Sequence, residues 1–430
     1  MCLSWLLIAL FTGCDPRDTD TGTAGEFSDS ELELLKTLDG VGSPPPETTN
    51  QWADNPDAAH LGQFLFFDER LSGNGEFSCA SCHQPEHGFS DPNRLSEATG
   101  TTLRHTPTLL NAAYQDFFFW DGRADSLWSQ ALEPLEDTSE QATSRLAVAH
   151  LFHEDTDLRE AYDAVFGELP DLSDPIRFPA EGRPVPGSPD HPHALAWFSM
   201  STEDQELINE VFVNVGKAIA AYERLLNRTT APFDAWLAET LHDSQPSSLI
   251  SDEAKAGLKL FLGEGNCHFC HAGPSFSNKA FHNIGLEDRD WLKPFDQGRY
   301  SGISLLLDNP FNSAGRFSDN PEAGALKIEH LVQSDAQLGA YKTASLRNLA
   351  TTAPYMHGGH FDTLEQVVQS YSDLDEFPSV GHREELMQKL EWEASEVQSM
   401  LAFLDTLEGE VLDEDLLSAP DSPLPPGRTQ

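Results

Sequence analysis

Cysteine is scarce in this chain, and none is left over for a disulfide in the folded part. The six cysteines form two CxxC pairs and a small N-terminal group: Cys79 with Cys82, Cys267 with Cys270, and Cys2 and Cys14. A fold stapled by disulfides is therefore excluded. The cysteine chemistry is expected in the two pairs.

Basic residues are also few. The chain has 26 Lys and Arg against 71 Asp and Glu, which gives a formal net charge of −45. A field of this sign repels nucleic acid and anionic lipid surfaces, so both are excluded as partners and only basic partners would be attracted. A solvated acidic surface, suited to a salty habitat, explains so broad an excess, and we infer no catalytic role from it.

The apolar run at the N-terminus, residues 3–11, is too short to span a bilayer but suits the core of a signal peptide. It ends in Phe-Thr-Gly-Cys14, which resembles a bacterial lipobox. Cys14 is therefore predicted to be the lipidated first residue of a periplasmic protein that touches the membrane only through this anchor. No Lys or Arg precedes the run, so either the start site is misplaced or the signal is unusual. A cleaved, soluble periplasmic form is the alternative to the lipidated one.

The two CxxC pairs predict two related domains. Residues 1–14 are predicted to be a lipoprotein-type signal, and residues 15–27, rich in Asp, Thr and Gly, a flexible tether. The N-terminal domain is expected at 28–245 and the C-terminal domain at 246–412. The acidic, proline-rich end, 413–430, is predicted to be disordered.

Helical periodicity predicts a mainly α fold with few strands. Helices are expected to begin at the capping box of Ser28 and Glu31, at Pro56, at Thr202 with Gln205, and near Asp252, and a last one to pass through Leu386, Leu390, Val397, Leu401 and Leu404. The stretches 168–200 and 301–339 lack periodicity and are expected to be insertion loops.

A histidine follows each CxxC pair, namely His83 and His271. Two thiols three positions apart can form thioethers with the two vinyl groups of one haem, and the next histidine can then ligate the iron. Two such motifs predict two covalently bound haem c groups, one in each of two cytochrome c-like helical domains.

Two other functions of the cysteine pairs are less well supported by the sequence than haem attachment. A zinc site built from both pairs would not explain the histidine after each pair, or why the pairs lie so far apart. A thioredoxin-like pair would follow a strand of a βαβ unit, which neither pair does.

Four segments around these motifs resemble the di-haem cytochrome c peroxidases and their MauG relatives: residues 61–85, 104–141, 254–286 and 341–371. The resemblance covers nearly all of 58–408. It implies that the haem of the first motif reacts with hydrogen peroxide and that the haem of the second motif passes electrons.

The resemblance also implies roles for residues of the second segment. Trp120, in Phe-Trp-Asp-Gly-Arg, matches the tryptophan that lies between the two haems and can carry a hole. Glu140 matches the acid over the open face of the peroxidatic haem, where a carboxylate can take a proton from peroxide and return it to the leaving oxygen. Gln130 and Pro134 match other positions of this pocket. By composition alone, Trp120 would be a core residue and Glu140 a surface acid.

The family divides on the second axial ligand of the second haem. Ordinary peroxidases have a methionine fourteen residues after the histidine of Pro-Tyr-x-His, which is His357 here, whereas this chain has Tyr371, as MauG has tyrosine. A phenolate is a hard anion that stabilises oxidised iron, whereas a thioether raises the potential. The alternative is that Met356 ligates the iron and Tyr371 only packs.

Two further departures concern the first haem and calcium. Ordinary peroxidases often block the resting peroxidatic haem with a histidine after the first motif, but His87 is too close to His83 for that role, so an open site is expected. The family holds a calcium ion with main-chain oxygens matching Thr352 and Pro354 and with an asparagine side chain, whose position is His105 here. Imidazole is a poor calcium ligand, so the ion binds through waters or is absent.

These features favour a MauG-like oxidase that uses peroxide to oxidise a partner protein at a distance. An ordinary cytochrome c peroxidase with an external cytochrome donor is the first alternative. An electron carrier without peroxide chemistry is the second, and it needs a second ligand on the first haem that the sequence does not offer. Gly265 stands where MauG has a tryptophan for electron exit, and Phe269 and Trp291 are the substitutes considered.

Overall fold

The computed structural model describes residues 27–242, 247–286, 295–374 and 377–427. The predicted signal with Cys14, and the predicted tether except for its last residue, Phe27, lie outside the described residues, as does Trp291. No helix of the described part is both long and apolar enough to cross a membrane.

The fold is mainly α-helical, as predicted. In chain order the helices are α1 (Asp29–Lys36), α2 (Pro56–Phe67), α3 (Cys79–Cys82), α4 (Leu127–Gln130), α5 (Glu133–Glu136), α6 (Arg145–Glu154), α7 (Thr156–Phe166), α8 (Pro192–Ser199), α9 (Thr202–Glu223), α10 (Pro232–His242), α11 (Asp252–Leu262), α12 (Arg299–Asp308), α13 (Pro321–Ile328), α14 (Leu364–Asp373) and α15 (Ala394–Asp405). Short 3₁₀ turns lie at Glu69–Leu71, Pro85–His87, Ala112–Tyr114, Cys267–Phe269, Asp335–Gln337 and Glu414–Leu416. Strand β1 (Phe281–His282) pairs antiparallel with β2 (Tyr341–Lys342), with Phe281 opposite Lys342.

Capping residues define where helices α1 and α9 begin. The capping box of Ser28 and Glu31 opens α1, as predicted. Helix α9 begins at Thr202, but its cap is Ser201, whose hydroxyl accepts a hydrogen bond from the backbone N–H of Asp204, so the predicted cap is wrong by one residue. A serine hydroxyl in extended backbone satisfies a free N–H of the first turn, which Thr202, itself inside the helix, does not.

Helix α9 is the centre of the first core. Its residues 211–223 are all buried, which is the pattern of a helix surrounded by protein. Helix α2 crosses it so closely that a Cβ on Gly62 would lie 1.8 Å from the carbonyl oxygen of Ala218. Trp128, Phe152 and Phe212 fill the space around this crossing.

The second core contains an equally close helix crossing, between α11 and α15. A Cβ on Gly257 would lie 1.9 Å from the carbonyl oxygen of Ser399. Phe233, Phe261 and Phe403 pack around it. Two cores, each built on one close helix crossing beside one CxxC pair, agree with the predicted pair of related helical domains.

The predicted domain limits differ from the packing at both ends. Leu35 of α1, Leu38 just after it and Trp236 of α10 belong to the second core, although they fall within the predicted N-terminal domain 28–245. The tail predicted to be disordered instead packs on the first core: the Tyr222 hydroxyl donates to the carbonyl of Leu416 at 2.6 Å. The tail carries apolar side chains, Leu416 among them, that pack against the first core. Its acidic composition alone therefore led to the wrong prediction of disorder.

Other predicted elements are also corrected. The segment 301–339 is not a loop, because it contains most of α12 and all of α13, and 168–200 contains α8. Prolines open α8 and α13, where the missing N–H is not needed, so both helices are marked by a starting proline although the stretches lack a longer periodicity. The last helix begins only at Ala394, because Glu391 has a positive φ of 55°; Leu386 and Leu390 therefore precede it.

Candidate functional site

The first CxxCH motif is a single helical turn. The backbone N–H of His83 donates to the carbonyl of Cys79 at 2.9 Å, which brings the thiols and the imidazole to one side of the turn. The Nδ1 atom of His83 donates to the carbonyl of Phe89 at 3.0 Å, so Nε2 remains for a metal. Burial lowers the pKa of His83 to about 4 and keeps the ring neutral, as a metal ligand must be.

The second motif repeats this geometry. The N–H of His271 donates to the carbonyl of Cys267 at 2.9 Å, and its Nδ1 donates to the carbonyl of Phe276 at 3.0 Å. Burial lowers its pKa to about 4 as well. Both accepting phenylalanines have positive φ, 55° at Phe89 and 50° at Phe276, so in each motif a residue in left-handed backbone presents the carbonyl that orients the imidazole.

The cysteines fit haem attachment better than a zinc site. Burial raises the pKa of Cys79 to about 12 and that of Cys267 to about 12, so these thiols are neutral in the protein alone. Each pair belongs to its own core, and the described residues contain no cluster of three or more His, Cys, Asp or Glu that can hold a metal ion. Two separate CxxCH turns, each with an oriented imidazole, match the donor set of haem c.

Glu140 lies beside the first motif. Its charge contributes to the raised pKa of both Cys79 and Cys82, and the next side chain, Gln141, donates to the sulfur of Cys79 at 3.5 Å. Burial, and then the neighbouring charge of Asp137, raise the pKa of Glu140 to about 7. A carboxyl with this pKa can both accept and return a proton near neutral pH.

The backbone next to Glu140 bonds to Pro134, one of the predicted pocket residues. The N–H of Gln141 donates to the carbonyl of Pro134 at 3.1 Å. Gln130, in α4, is buried one turn before α5. The Oε1 atom of Gln141 is buried and has no hydrogen-bond partner within the described part of the protein, which points to a group that the protein alone does not supply.

Trp120 joins the two halves of the chain. Its indole N–H donates to the carbonyl of His105 at 2.8 Å, and its own carbonyl accepts from the N–H of Lys342 in β2 at 2.8 Å. The indole lies edge-on to the ring of His357, 6.5 Å between centroids. The structure therefore places Trp120 where the second and fourth matching segments meet.

A group of side chains beside Trp120 was not singled out from the sequence. The ring of His357 stacks on that of Tyr341 at 3.6 Å with an angle of 12°. Arg104 lies over the same tyrosine, 5.6 Å from the ring centre, and pairs with Asp296 at 2.7 Å. The available signal was only that Arg104 and Tyr341 each begin a segment that resembles the family.

Tyr371 lies against the second motif. Burial and the charges of Cys267 and Cys270 raise the pKa of its phenol above the ordinary range. It lines a pocket that Met356 also lines. Tyr371 and Met356, the two candidate ligands of the second iron, therefore line one pocket, and Tyr371 also lies against the second CxxC pair.

Phe269 and Gly265 belong to the region proposed for electron exit. Phe269, within the second motif, is 49% exposed. Gly265 must be small, because a Cβ there would lie 3.1 Å from the ring of Trp392 and 2.8 Å from the carbonyl of Leu260. A tryptophan from another part of the chain thus occupies the space beside Gly265.

The residues at the calcium position do not fit the ion. The Nδ1 atom of His105 lies 3.2 Å from the carbonyl of Asn93, and its Nε2 lies 3.2 Å from the hydroxyl of Ser90. The carbonyl of His105 already accepts from Trp120. With the side chain committed elsewhere, only the main-chain oxygens of Thr352 and Pro354 remain from the expected set, which is too few for calcium.

Comparison with known proteins agrees with this site. Residues 56–242 match the family model described as di-haem cytochrome c peroxidase. The chain is 30% identical over 415 residues to the methylamine utilization protein MauG of Methylorubrum extorquens, covering 95% of this chain and 94% of that protein. It is 31% identical over 366 residues to the cytochrome-c peroxidase IdrP2 of Pseudomonas sp. strain SCT, covering 84% and 83%.

A solved structure gives the same result. The crystal structure of a MauG-like protein associated with microbial copper homeostasis matches with a TM-score of 0.61 and 25% identity, covering 88% of this chain and 97% of that one. The family implies two c-type haems per chain, which the two CxxCH turns can hold. The chain belongs to the di-haem cytochrome c peroxidase and MauG family of haem-dependent oxidoreductases.

Proposed function

We propose that this protein reacts with hydrogen peroxide and, in the manner of MauG, oxidises a partner protein by long-range electron transfer. The observation that supports this most is the position of Tyr371 against the second CxxC pair. Two bound haem c groups would supply the redox chemistry. An oxygen anion on the second iron would stabilise its oxidised state, which suits storing two oxidising equivalents within one chain.

The residues beside the first motif would manage the protons of peroxide. Glu140, with a pKa of about 7, would take a proton from the near oxygen of peroxide and deliver it to the far oxygen as it leaves. Gln130 and Pro134 would form the wall of this pocket. A carboxyl group with this pKa favours an enzyme over a pure electron carrier, because an electron carrier does not need a group that transfers protons beside its haem.

Trp120 would pass the hole between the two halves. Its indole N–H donates to the carbonyl of His105, and its backbone carbonyl accepts from the N–H of Lys342, so both the ring and the backbone of Trp120 are held. A fixed indole keeps the transfer distance constant, whereas a mobile one would vary it. The partner protein is expected to have a basic surface, because the chain carries a formal charge of −45. We place this reaction in the periplasm, with the chain anchored through Cys14.

The second candidate is an ordinary peroxidase that clears peroxide with electrons from a small cytochrome. The observation that favours it is Met356, which lines the same pocket as Tyr371. A thioether ligand would give the second haem the higher potential that such a donor requires.

Substitution of the two candidate ligands separates these functions. In the holoprotein, Tyr371→Met should raise the potential of the second haem and abolish the state in which both irons are oxidised by peroxide. The matched variant Met356→Leu should leave both properties unchanged. Redox titration and spectra after addition of peroxide provide the readout. If Tyr371→Met behaves as the unchanged protein and Met356→Leu does not, the ordinary peroxidase is the correct function.

A further inference from the structure

A tyrosine with a carboxylate next to it lies beside the predicted electron path. Tyr341, in β2, directly precedes Lys342, whose N–H is bonded to the carbonyl of Trp120. The ring of His357 stacks on Tyr341 at 3.6 Å and is 6.5 Å from the indole of Trp120. Three aromatic rings thus form one contiguous group, with His357 in the middle and Tyr341 at one end.

The carboxylate is held in place by three contacts. Asp296 accepts hydrogen bonds from Nε and an NH₂ group of Arg104 at 2.7 and 2.8 Å, and from the N–H of Gly298 at 2.9 Å. Gly298 in turn pairs with Ala340, the neighbour of Tyr341. The Tyr341 hydroxyl lies close enough to the Asp296 carboxylate to help lower the pKa of that carboxylate. The pair is therefore fixed by backbone pairing and not only by side-chain packing.

The charges around Tyr341 determine how it can be oxidised. Arg104 lies 5.6 Å from the centre of its ring, so a positive charge on the ring would be repelled. Loss of an electron from this tyrosine must therefore be accompanied by loss of the phenolic proton, which becomes strongly acidic on oxidation. Asp296 is the base in place to receive it. Arg104 keeps a second partner when Asp296 is protonated, because it also pairs with Asp121 at 2.6 Å.

We propose that Tyr341 is a redox-active relay, oxidised by Trp120 with transfer of its proton to Asp296. This rests on the proposed function, in which hydrogen peroxide is the oxidant that leaves a hole on the indole. The step is balanced: the Trp120 radical cation gains one electron, Tyr341 becomes a neutral phenoxyl radical, and the Asp296 carboxylate becomes a carboxylic acid. An electron from a reducing partner then restores the phenol, and the proton returns from Asp296.

Electron paramagnetic resonance on the freeze-quenched holoprotein tests the relay. After addition of peroxide, the unchanged protein should show a tyrosyl radical whose signal narrows when ring-deuterated tyrosine is incorporated. Tyr341→Phe, which keeps the stacked ring, should lose this signal while the haem spectra still respond to peroxide. Asp296→Asn, which keeps a hydrogen-bond acceptor for Arg104, should form much less of the radical.

Tyr355→Phe is the matched control, because the Tyr355 hydroxyl donates to the carbonyl of Leu349 at 2.9 Å, a group that cannot take a proton at neutral pH. This variant should keep the full signal. A tyrosyl signal that persists in Tyr341→Phe would overturn the relay, as would a protein that consumes peroxide without forming any tyrosyl radical. A holoprotein that consumes no peroxide would overturn the proposed function together with the relay.

Discussion

Glu140 is the residue whose ionisation should govern the reaction with peroxide. Its pKa is raised to about 7 first by burial and then by the negative charge of Asp137. A general base must be ionised to accept a proton, so the active form is the one present above this pKa. The consequence is a rate that rises with pH through neutrality.

A comparison of three variants tests this role. Glu140→Gln should slow the reaction with peroxide by about 10²- to 10⁴-fold, because the amide cannot accept a proton. Asp137→Asn should shift the midpoint of the pH–rate profile to lower pH, because it removes a charge that raises the pKa of Glu140. The exposed Glu97→Gln should change neither, as measured by stopped-flow mixing of the holoprotein with peroxide. A midpoint that is the same in Asp137→Asn would assign the profile to another group.

Glu223 is a second buried acid, which the proposed reaction does not use. Burial raises its pKa to about 8, and its Oε2 atom has no hydrogen-bond partner among the described residues. An acid whose pKa is higher in the folded than in the unfolded chain reduces stability as pH rises above the unfolded value. The loss begins near pH 4.5 and is complete above about pH 8.

Glu223→Gln should therefore stabilise the protein at alkaline but not at acid pH. At pH 8 the expected gain in the free energy of unfolding is on the order of 3 kcal/mol, and near pH 4 the two proteins should be equal. Chemical denaturation of both proteins at the two pH values gives the measurement. A gain of equal size at both values would show that the amide acts through a new hydrogen bond and not by removing a charge.

At the scale of elements, each core depends on one close helix crossing. Glycine at 62 and at 257 allows α2 to reach α9 and α11 to reach α15, and in both cases an added Cβ would overlap a backbone carbonyl, which cannot move away as a side chain can. The two crossings have the same close geometry, so each should control the stability of its own haem module, meaning one core together with the CxxCH motif beside it.

Gly62→Ala and Gly257→Ala should each destabilise the fold by about 1–3 kcal/mol or more, the usual cost of overpacking. Gly62→Ala should act mainly on the first haem site and Gly257→Ala on the second. Thermal unfolding, followed through the absorbance of each haem, separates the two. Glu210→Ala, on the exposed side of α9, is the control and should have little effect. Equal loss at both haems in either variant would mean that the modules unfold as one unit.

Local signals predicted the elements better than their arrangement. The capping box at Ser28 and the helix start at Asp252 are as expected, because both are settled by neighbouring residues. The two CxxCH motifs are likewise recognised from adjacent residues. The contact of Tyr341 with His357 and Asp296 was not predictable, since it depends on chain segments brought together only by the tertiary fold.

At the scale of the whole molecule, each end of the chain packs against the core that belongs mainly to the other half. Leu35 and Leu38, near the N-terminus, pack in the second core, whereas the C-terminal tail packs on the first. Arg299, in the second half, also donates to the carbonyl of Gly122 in the first half at 2.6 Å. These contacts fix the two CxxCH turns relative to each other, as electron transfer between their haems requires.

Removal of the tail after Leu412 should loosen this arrangement. The truncated chain loses the contacts of Leu416, Leu417 and Leu424 with the first core, and we expect a loss of about 1–3 kcal/mol in the free energy of unfolding, since these side chains are only partly buried. Full-length Leu416→Ser with Leu417→Ser should reproduce most of the loss, whereas Asp413→Asn with Glu414→Gln should not. Denaturation followed by circular dichroism measures all three. A truncated chain as stable as the full one would mean that the tail lies on the first core without stabilising it, and that other contacts between the halves, such as those of Arg299 and Trp120, hold them together.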